Sequence, residues 1–191
     1  MYTNFSVINE FLSEEECDAI VGYESELDID VGAVGGKTNV DPNTRMSSVG
    51  WIDRIKHKED FRWLFTKLDE TMVVINQHCF DIDYHSKGCV ALQYTVYDGK
   101  ANGHYDYHMD EFLPGNWPDS RKLTLVVQLS KPEEYEGGEF LLRDTQEQIP
   151  DTFSNRGSAI IFPSILYHKV CPVTSGMRRS LVGWYRGPTW R

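Results

Sequence analysis

The chain has 191 residues, of which 40% are hydrophobic and 25% charged, and its formal net charge at pH 7 is −10. This length and composition are typical of one globular domain and exclude a disordered chain. Because the charge balance is acidic, with no basic stripe and no apolar run near the roughly 20 residues of a membrane span, we expect neither nucleic-acid nor membrane partners.

The amino-terminal sequence and the cysteines bear on where the protein resides. The stretch MYTNFSVINEFL lacks the basic segment of a signal peptide, so we expect a soluble, cytoplasmic protein. The four cysteines are far apart and form no CxxC pair, which argues against a zinc ribbon and a thioredoxin-like site. They are interpreted as small hydrophobic side chains.

The first predicted elements are a short strand and a helix, in FSVINEFLSEEECDAIVGYESE. Ser13 and Glu16 have the spacing of a capping box, which marks the start of the helix. The segment Leu27–Ser48 that follows is rich in Gly, Asp, Asn and Ser and has no hydrophobic period. Since an aperiodic run of this length is typical of a functional loop, we predict a lid here.

A second helix is predicted from Asp60 onward. Its apolar residues recur at i, i+3, i+4, i+7, i+11 and i+14, and they are Phe61, Leu64, Phe65, Leu68, Met72 and Ile75. The rest of the chain consists of short β-rich runs separated by Gly, Pro, Asn and Asp: GCVALQYTVY, RKLTLVVQLS, GGEFLLRD, GSAIIFP and RRSLVGWYRG. The pattern predicts an antiparallel β-sandwich or barrel with the two helices packed on its outside.

One stretch, GHYDYHMDEF, contains the triplet His-x-Asp twice, as His104 with Asp106 and as His108 with Asp110. Side chains at i and i+2 of a strand point to the same face, so each triplet could offer an imidazole and a carboxylate to one metal ion. All four residues have even numbers and would therefore lie on the same face of one strand. Spacing alone therefore does not choose between the triplets.

A third metal ligand is available in His168, which follows the apolar run GSAIIFP in the same β-rich half of the chain. Two histidines and one carboxylate form the facial triad of non-haem Fe(II) oxygenases, although the same ligands could hold zinc. Ten residues further stands Arg178, and Ser180 follows on the same strand face. A guanidinium beside a hydroxyl suits a carboxylate, which an Fe(II) enzyme that consumes 2-oxoglutarate must anchor.

Together these segments resemble the prolyl 4-hydroxylase branch of the Fe(II)/2-oxoglutarate dioxygenases, in particular its small single-domain microbial and viral members. The matching pieces are FLSEEECDAI, LQYTVYDGKANGHYDYHMD, RKLTLVVQLS, YEGGEFLL and GSAIIFPSILYHKVCPVTSGMRRSLVGWYRG. The resemblance implies a mainly β fold, a double-stranded β-helix of the jelly-roll, cupin-like kind. In this single domain, 1–191, we expect the β-helix core in residues 88–191 and the helical support and lid in residues 1–85.

The resemblance also implies roles for individual residues. A tyrosine three residues before the metal histidine, and another further upstream, fit the family pattern only if His108, Asp110 and His168 bind the iron. Arg178 then pairs with the C5 carboxylate of 2-oxoglutarate, where branch members often have lysine, and its hydrogen-bonding neighbours are Tyr97 and Thr124. Strand geometry, not the resemblance, adds Ser180 to this pocket.

The implied function is hydroxylation of an unactivated C–H bond with Fe(II), 2-oxoglutarate and O2, with succinate and CO2 released and ascorbate as a further expected cofactor. By the resemblance the substrate is a peptide or protein. The target is a peptidyl or free prolyl residue, and a lysyl or another amino-acid residue is the alternative. Substrate contacts are expected in Leu27–Ser48 and in EFLPGNWPDS. Two alternatives are a cupin-like zinc enzyme and a non-catalytic binding or sensor module.

Overall fold

The computed structural model describes residues 4–33, 41–112, 119–143, 145 and 148–190. Its helices are α1 (Glu14–Gly22) and α2 (Lys58–Ile75), the latter continued by a π-helical turn, Asn76–Phe80. Its strands are β1 (Ser6–Ile8), β2 (Asp30–Val31), β3 (Arg45–Met46), β4 (Ser48–Asp53), β5 (Ala91–Asp98), β6 (His104–His108), β7 (Asp119–Gln128), β8 (Tyr135–Gly137), β9 (Phe140–Leu142), β10 (Ala159–Pro163), β11 (His168–Val170) and β12 (Val173–Pro188).

Both predicted helices are confirmed, together with the signals that predicted them. The hydroxyl of Ser13 accepts a hydrogen bond from the Glu16 amide at 3.2 Å, and the Glu16 carboxylate accepts one from the Ser13 amide at 2.8 Å. This reciprocal capping box satisfies two amides at the start of α1. In α2 the predicted stripe is buried from Phe61 to Met72. The periodicity therefore located the core face of the helix correctly.

The strands form two antiparallel sheets, the double-stranded β-helix expected from the sequence. The large sheet has the order β1-β10-β7-β12-β5-β4-β2, with β8 paired to β12, and the small sheet has the order β3-β6-β11-β9. The amino-terminal part thus supplies strands to both sheets as well as the helices. The predicted division of the chain near residue 85 stays a prediction.

The central strands β7 and β10 of the large sheet are buried on both faces, because the helices pack on one side and the small sheet packs on the other. On β7, Leu125 and Val127 pack in the cluster that contains α1 and α2, whereas Val126 packs in the second cluster, between the sheets. The same alternation places Arg178 and Ser180 of β12 on the inner side. That inner side is where the candidate site lies.

No helix in the described residues is long and apolar enough to cross a membrane. Within the predicted lid, β2 and β3 are edge strands of the large and small sheets, respectively. Residues 34–40 of the lid and residues 113–118 of EFLPGNWPDS lie outside the described residues. The lid and the substrate contacts of these segments therefore stay predictions.

Candidate metal centre and its cavity

The three predicted metal ligands come together where β6 and β11 lie side by side in the small sheet. His108 is the last residue of β6, and it is the direct antiparallel partner of His168, the first residue of β11. Asp110 follows two residues after His108. One ligand atom from each of the three residues lies within 4.8 Å of the others. Antiparallel pairing thus joins ligands that are 60 positions apart in the chain.

Backbone carbonyls orient both imidazoles of the triad. Nδ1 of His108 lies 2.8 Å from the carbonyl oxygen of Asp106, and Nδ1 of His168 lies 2.9 Å from that of Leu166. Because a carbonyl oxygen only accepts hydrogen bonds, the proton of each neutral ring is on Nδ1. The lone pairs on Nε2 then face Asp110, whose carboxylate oxygens lie 3.8 Å from Nε2 of His108 and 3.5 Å from that of His168.

The charge states of these groups suit metal binding, which requires deprotonated ligands. Burial, helped by the neighbouring His168, lowers the pKa of His108 to about 4, so its ring is neutral at neutral pH. Burial acts to raise the pKa of Asp110, but electrostatic interactions with His168, His108 and Arg121 outweigh it and hold that pKa below its usual value. Asp110 is therefore an ionised carboxylate between two imidazoles.

The first His-x-Asp triplet has a different environment. Both ring nitrogens of His104 face backbone carbonyls, at 2.9 Å from Asn102 and 3.4 Å from Asn43. Asp106 is exposed, and its carboxylate accepts a hydrogen bond from the amide of Tyr107 at 2.8 Å. Among the described residues, clustering of His, Cys, Asp and Glu ligand atoms occurs at the second triplet and not at the first.

The triad opens into a cavity of about 900 Å³ between the two sheets, and Arg178 also lines it. Arg178 is fully buried, and its three guanidinium nitrogens have no hydrogen-bond partner among the residues that the structure describes. Its strand partner is Tyr97 of β5, whose ring centre lies 5.4 Å from the guanidinium carbon, and Ser180 lines the cavity beside it. An unpaired buried cation is costly in isolation. A carboxylate would satisfy it through two parallel hydrogen bonds.

Comparisons with known proteins agree with this geometry. Residues 92–186 match the family model described as the 2OG-Fe(II) oxygenase superfamily. The chain belongs to this superfamily. The name of the superfamily contains two ligands, Fe(II) and 2-oxoglutarate (2OG), and the residues that line the cavity suit both. Two imidazoles and a carboxylate suit the metal ion, and the unpaired guanidinium suits a carboxylate of 2-oxoglutarate.

Among related proteins, a PKHD-type hydroxylase of Crocosphaera subtropica is 33% identical over 106 residues, which are 55% of this chain and 46% of the relative. The chain thus spans about half the length of that curated relative. Among solved structures, the viral collagen prolyl hydroxylase of Paramecium Bursaria Chlorella virus-1, in its 2OG complex, has a TM-score of 0.72 with 25% identity over 97% of both chains. A Trichoplax adhaerens prolyl hydroxylase in complex with a hypoxia inducible factor peptide has a TM-score of 0.72 with 21% identity, over 96% of this chain and 83% of its own, and shows the fold alone.

Thr124 lies on β7 and contacts the carboxylate of Asp110. Its hydroxyl donates a hydrogen bond of 2.8 Å to Oδ2 of Asp110, and it lies 2.9 Å from the hydroxyl of Ser164. The expectation from the sequence was a contact with 2-oxoglutarate. That contact stays a prediction, as do the cosubstrate contacts of Tyr97, Arg178 and Ser180.

Sequence reasoning missed the contact between Tyr105 and the candidate metal ligand His108. The two rings stack with centres 3.5 Å apart and planes at 12°, and the guanidinium carbon of Arg45 lies 4.5 Å from the ring centre of Tyr105. In a regular strand, residues three apart point to opposite faces. Here the pairing of β6 with β11 contains a register shift, which allows one extra residue in β6 and brings the two side chains together.

Arg121 was missed as well. Its guanidinium carbon lies 4.0 Å from the ring centre of Trp184, and both residues line the cavity of the oxygenase. Trp51, an exposed residue of β4, lies on the same Trp184 with ring centres 6.1 Å apart. Sequence analysis had offered no signal for this stack, because its members come from three strands.

Proposed function

We propose that this oxygenase uses Fe(II), 2-oxoglutarate and O2 to hydroxylate an unactivated C–H bond of a prolyl residue in a peptide or protein, and releases succinate and CO2. The observation that carries the proposal is the unpaired guanidinium of Arg178 in the same cavity as the triad. A zinc hydrolase would not require this group, whereas a dicarboxylate cosubstrate does.

One set of residues would bind the metal, and a second set would bind the cosubstrate. His108, Asp110 and His168 would hold Fe(II), with the carbonyl-bound Nδ1 atoms keeping both rings in the orientation that ligation needs. Arg178, with Ser180 beside it, would hold the distal carboxylate. When bound, Fe(II) and 2-oxoglutarate supply the oxidising chemistry, and the protein supplies binding, orientation and the exclusion of water.

The walls of the cavity support the exclusion of water. Val126, Phe140 and Val170 line it from three different strands, and all three are buried in the core between the sheets. A dry, apolar wall strengthens the pairing of Arg178 with a carboxylate, because charges interact more strongly where water is excluded. The same wall favours an apolar target side chain such as that of proline.

The mouth of the cavity supports a peptide or protein as substrate. Val31, Trp51 and Phe112 line the cavity and are about half exposed, at 51%, 45% and 62%. Exposed apolar side chains grouped at a binding cleft are typical of a docking surface. The prolyl target rests on likeness, since the two related solved structures are described as prolyl hydroxylases and one of them holds a peptide.

The test is an anaerobic titration of the metal-free protein with Fe(II) and then with 2-oxoglutarate. We expect the visible charge-transfer band that a 2-oxo acid produces on ferrous iron. Arg178→Ala should weaken the band, and His108→Ala should abolish it. Peptides with proline are then assayed for succinate release and for a mass increase of one oxygen atom, with and without ascorbate.

The two alternative functions give different results in the same titration. A zinc enzyme of the cupin kind would bind metal without the band, and Arg178→Ala would leave its activity unchanged. A non-catalytic module would show the band without succinate release on any peptide. Absence of the band in metal-replete wild-type protein would overturn the proposal.

A further inference from the structure

The carboxylate of Asp110 is held by a short chain of buried hydroxyl groups. Thr124 donates to Oδ2 of Asp110 at 2.8 Å, and the hydroxyls of Thr124 and Ser164 lie 2.9 Å apart. Both residues have 0% of their surface exposed. Water therefore does not compete for these hydrogen bonds, and a hydroxyl removed by mutation would not be replaced by solvent.

The direction of this chain follows from the number of protons. The hydroxyl of Thr124 is the donor to Oδ2 of Asp110, and a hydroxyl has a single proton to donate. Ser164 must then donate its own proton to the oxygen of Thr124. The hydrogen bonds thus run in one direction: Ser164 donates to Thr124, and Thr124 donates to the carboxylate of Asp110. Hydrogen bonds to an ionised acceptor are the stronger kind.

Ser164 also holds the backbone on which Asp110 lies. Its carbonyl oxygen accepts hydrogen bonds from the amides of Asp110 at 3.0 Å and Glu111 at 3.1 Å, and its own amide donates to the carbonyl of Lys122 at 3.0 Å. Ser164 precedes His168 by four residues, in the turn that leads into β11. It therefore links the carboxylate ligand to the segment that carries the second histidine.

We propose that Thr124 and Ser164 are positioning residues that fix the carboxylate of Asp110 for metal binding through this one-way chain of hydroxyl groups. Oδ2 of Asp110 is held by Thr124, while Oδ1 lies 3.8 Å from Nε2 of His108, on the side of the candidate metal ligands. The inference rests on the proposed function because it takes Asp110 as a metal ligand. It gives Thr124 a role toward the metal, in place of the cosubstrate contact that family resemblance implies.

The experiment compares Thr124→Val with Thr124→Ser. Valine nearly matches the volume of threonine and removes the hydroxyl, whereas serine keeps the hydroxyl. Metal-free protein is titrated with Co(II), and the visible absorption of the bound ion is recorded as a signature of its ligands. We expect Thr124→Val to raise the Kd for Co(II) by about 10- to 100-fold and to alter the spectrum, because loss of a residue that orients a metal ligand has effects of this size. Thr124→Ser should restore the wild-type Kd and spectrum.

A parallel titration with 2-oxoglutarate, on variants saturated with metal, separates the two roles. Thr124→Val should then bind 2-oxoglutarate as wild type does. The proposal is overturned if Thr124→Val binds Co(II) with wild-type affinity and spectrum and loses only affinity for 2-oxoglutarate. Thermal unfolding of the metal-free variants confirms that they are folded.

If the Thr124→Val variant does not fold, Ser164→Ala provides a second test of the proposal. It removes the far end of the chain, so we expect a smaller rise in the Kd for Co(II), in the same direction. Unchanged Co(II) affinity and spectrum in Ser164→Ala would contradict the proposal. Failure of this inference can be distinguished from failure of the proposed function. If the wild-type protein lacked the Fe(II)–2-oxoglutarate band, the proposed function would fail, but the Co(II) titrations of the Thr124 and Ser164 variants would still test the positioning role.

Discussion

Two consecutive residues of β12, Arg178 and Arg179, face opposite sides of the large sheet and have opposite surroundings. On the helix side, Nε of Arg179 donates to the carboxylate of Glu24 at 2.7 Å, and the hydroxyl of Tyr94 donates to the same carboxylate at 2.7 Å. On the cavity side, the guanidinium of Arg178 is buried and makes no hydrogen bond to any residue that the structure describes. The ion pair of Arg179 stabilises the fold, whereas the charge of Arg178 is available to bind a ligand.

The same contrast holds more widely across the sheet. On the helix side, Arg54 makes two hydrogen bonds of 2.8 Å to Asp69 of α2, and the hydroxyl of Tyr185 donates to Asp69 at 3.0 Å. On the cavity side, Nη2 of Arg45, like the guanidinium of Arg178, is buried and has no hydrogen-bond partner among the described residues. Buried polar groups in native proteins are nearly always satisfied, so unsatisfied ones on one face mark a binding site.

The largest effect is expected at the metal ligands, and it tests whether the cavity side is the functional side. His108→Ala removes one of the three ligands, so we expect the protein to lose Fe(II) binding in anaerobic reconstitution, measured as metal bound per chain. His104→Ala, on the same strand, is the matched control and should bind Fe(II) as wild type does. The reverse result would show that the first triplet is the metal site.

The next effect is expected from Arg178→Met, which replaces the unpaired cation by an apolar side chain. The Kd for 2-oxoglutarate should rise by about 100-fold or more, since hydrogen bonds to a charged group contribute roughly 1.5–3 kcal/mol each and the carboxylate loses two of them. The metal-free protein should become more stable, by about 1 kcal/mol or more, because an uncompensated buried charge is removed. Binding titrations and chemical denaturation measure the two quantities.

Arg178→Lys is the control for this pair of measurements, because it keeps the charge and removes the planar fork. We expect its affinity for 2-oxoglutarate to lie between those of wild type and Arg178→Met. A less stable Arg178→Met protein with unchanged affinity for 2-oxoglutarate would show that Arg178 is a structural residue, and the contrast between the two faces would fail.

Asp69→Ala tests the helix side of the comparison. It leaves Arg54 and Tyr185 without their shared acceptor, so we expect the free energy of unfolding to fall by roughly 2–3 kcal/mol. Affinities for Fe(II) and 2-oxoglutarate should remain unchanged. Glu70→Ala, at the next and exposed position of α2, should change stability by less than about 0.5 kcal/mol. Weakened metal binding in Asp69→Ala would contradict the separation of the faces.

The smallest effect is expected at Glu24, whose ionisation makes the free energy of unfolding depend on pH. Burial acts to raise the pKa of Glu24, but hydrogen bonds from Arg179 and Tyr94 outweigh it, so the pKa lies below its ordinary value of 4.5. A lowered pKa means that the unfolded chain binds the proton more readily, so this stabilisation is present above pH 4.5 and is lost as the pH falls below it. Because the pair is partly exposed, we expect at most about 1 kcal/mol.

Glu24→Gln is the variant that isolates this contribution. Its difference in unfolding free energy from wild type should be largest near pH 7 and should shrink as the pH falls from 4.5 toward 3, as measured by urea denaturation. A difference independent of pH in this range would show that the charge of Glu24 does not contribute to stability.

Local signals predicted much of the fold. The capping box at Ser13 and the apolar stripe from Phe61 to Met72 act within one helix, so neighbouring residues suffice to reveal them. The candidate ligands followed from spacing and resemblance. The stack of Tyr105 on His108 could not be predicted, because it depends on a register shift between two strands that are about 60 residues apart.

The sequence by itself determined the residue types and their order: two helices, a β-rich remainder, and a triad with Arg178 downstream. These properties depend on periodicity and on short motifs. Only the tertiary structure decided which groups are left without a partner, since the partner of a buried charge comes from a distant segment. It satisfied Arg179 through Glu24, left Arg178 open to the cavity, and placed Thr124 against Asp110.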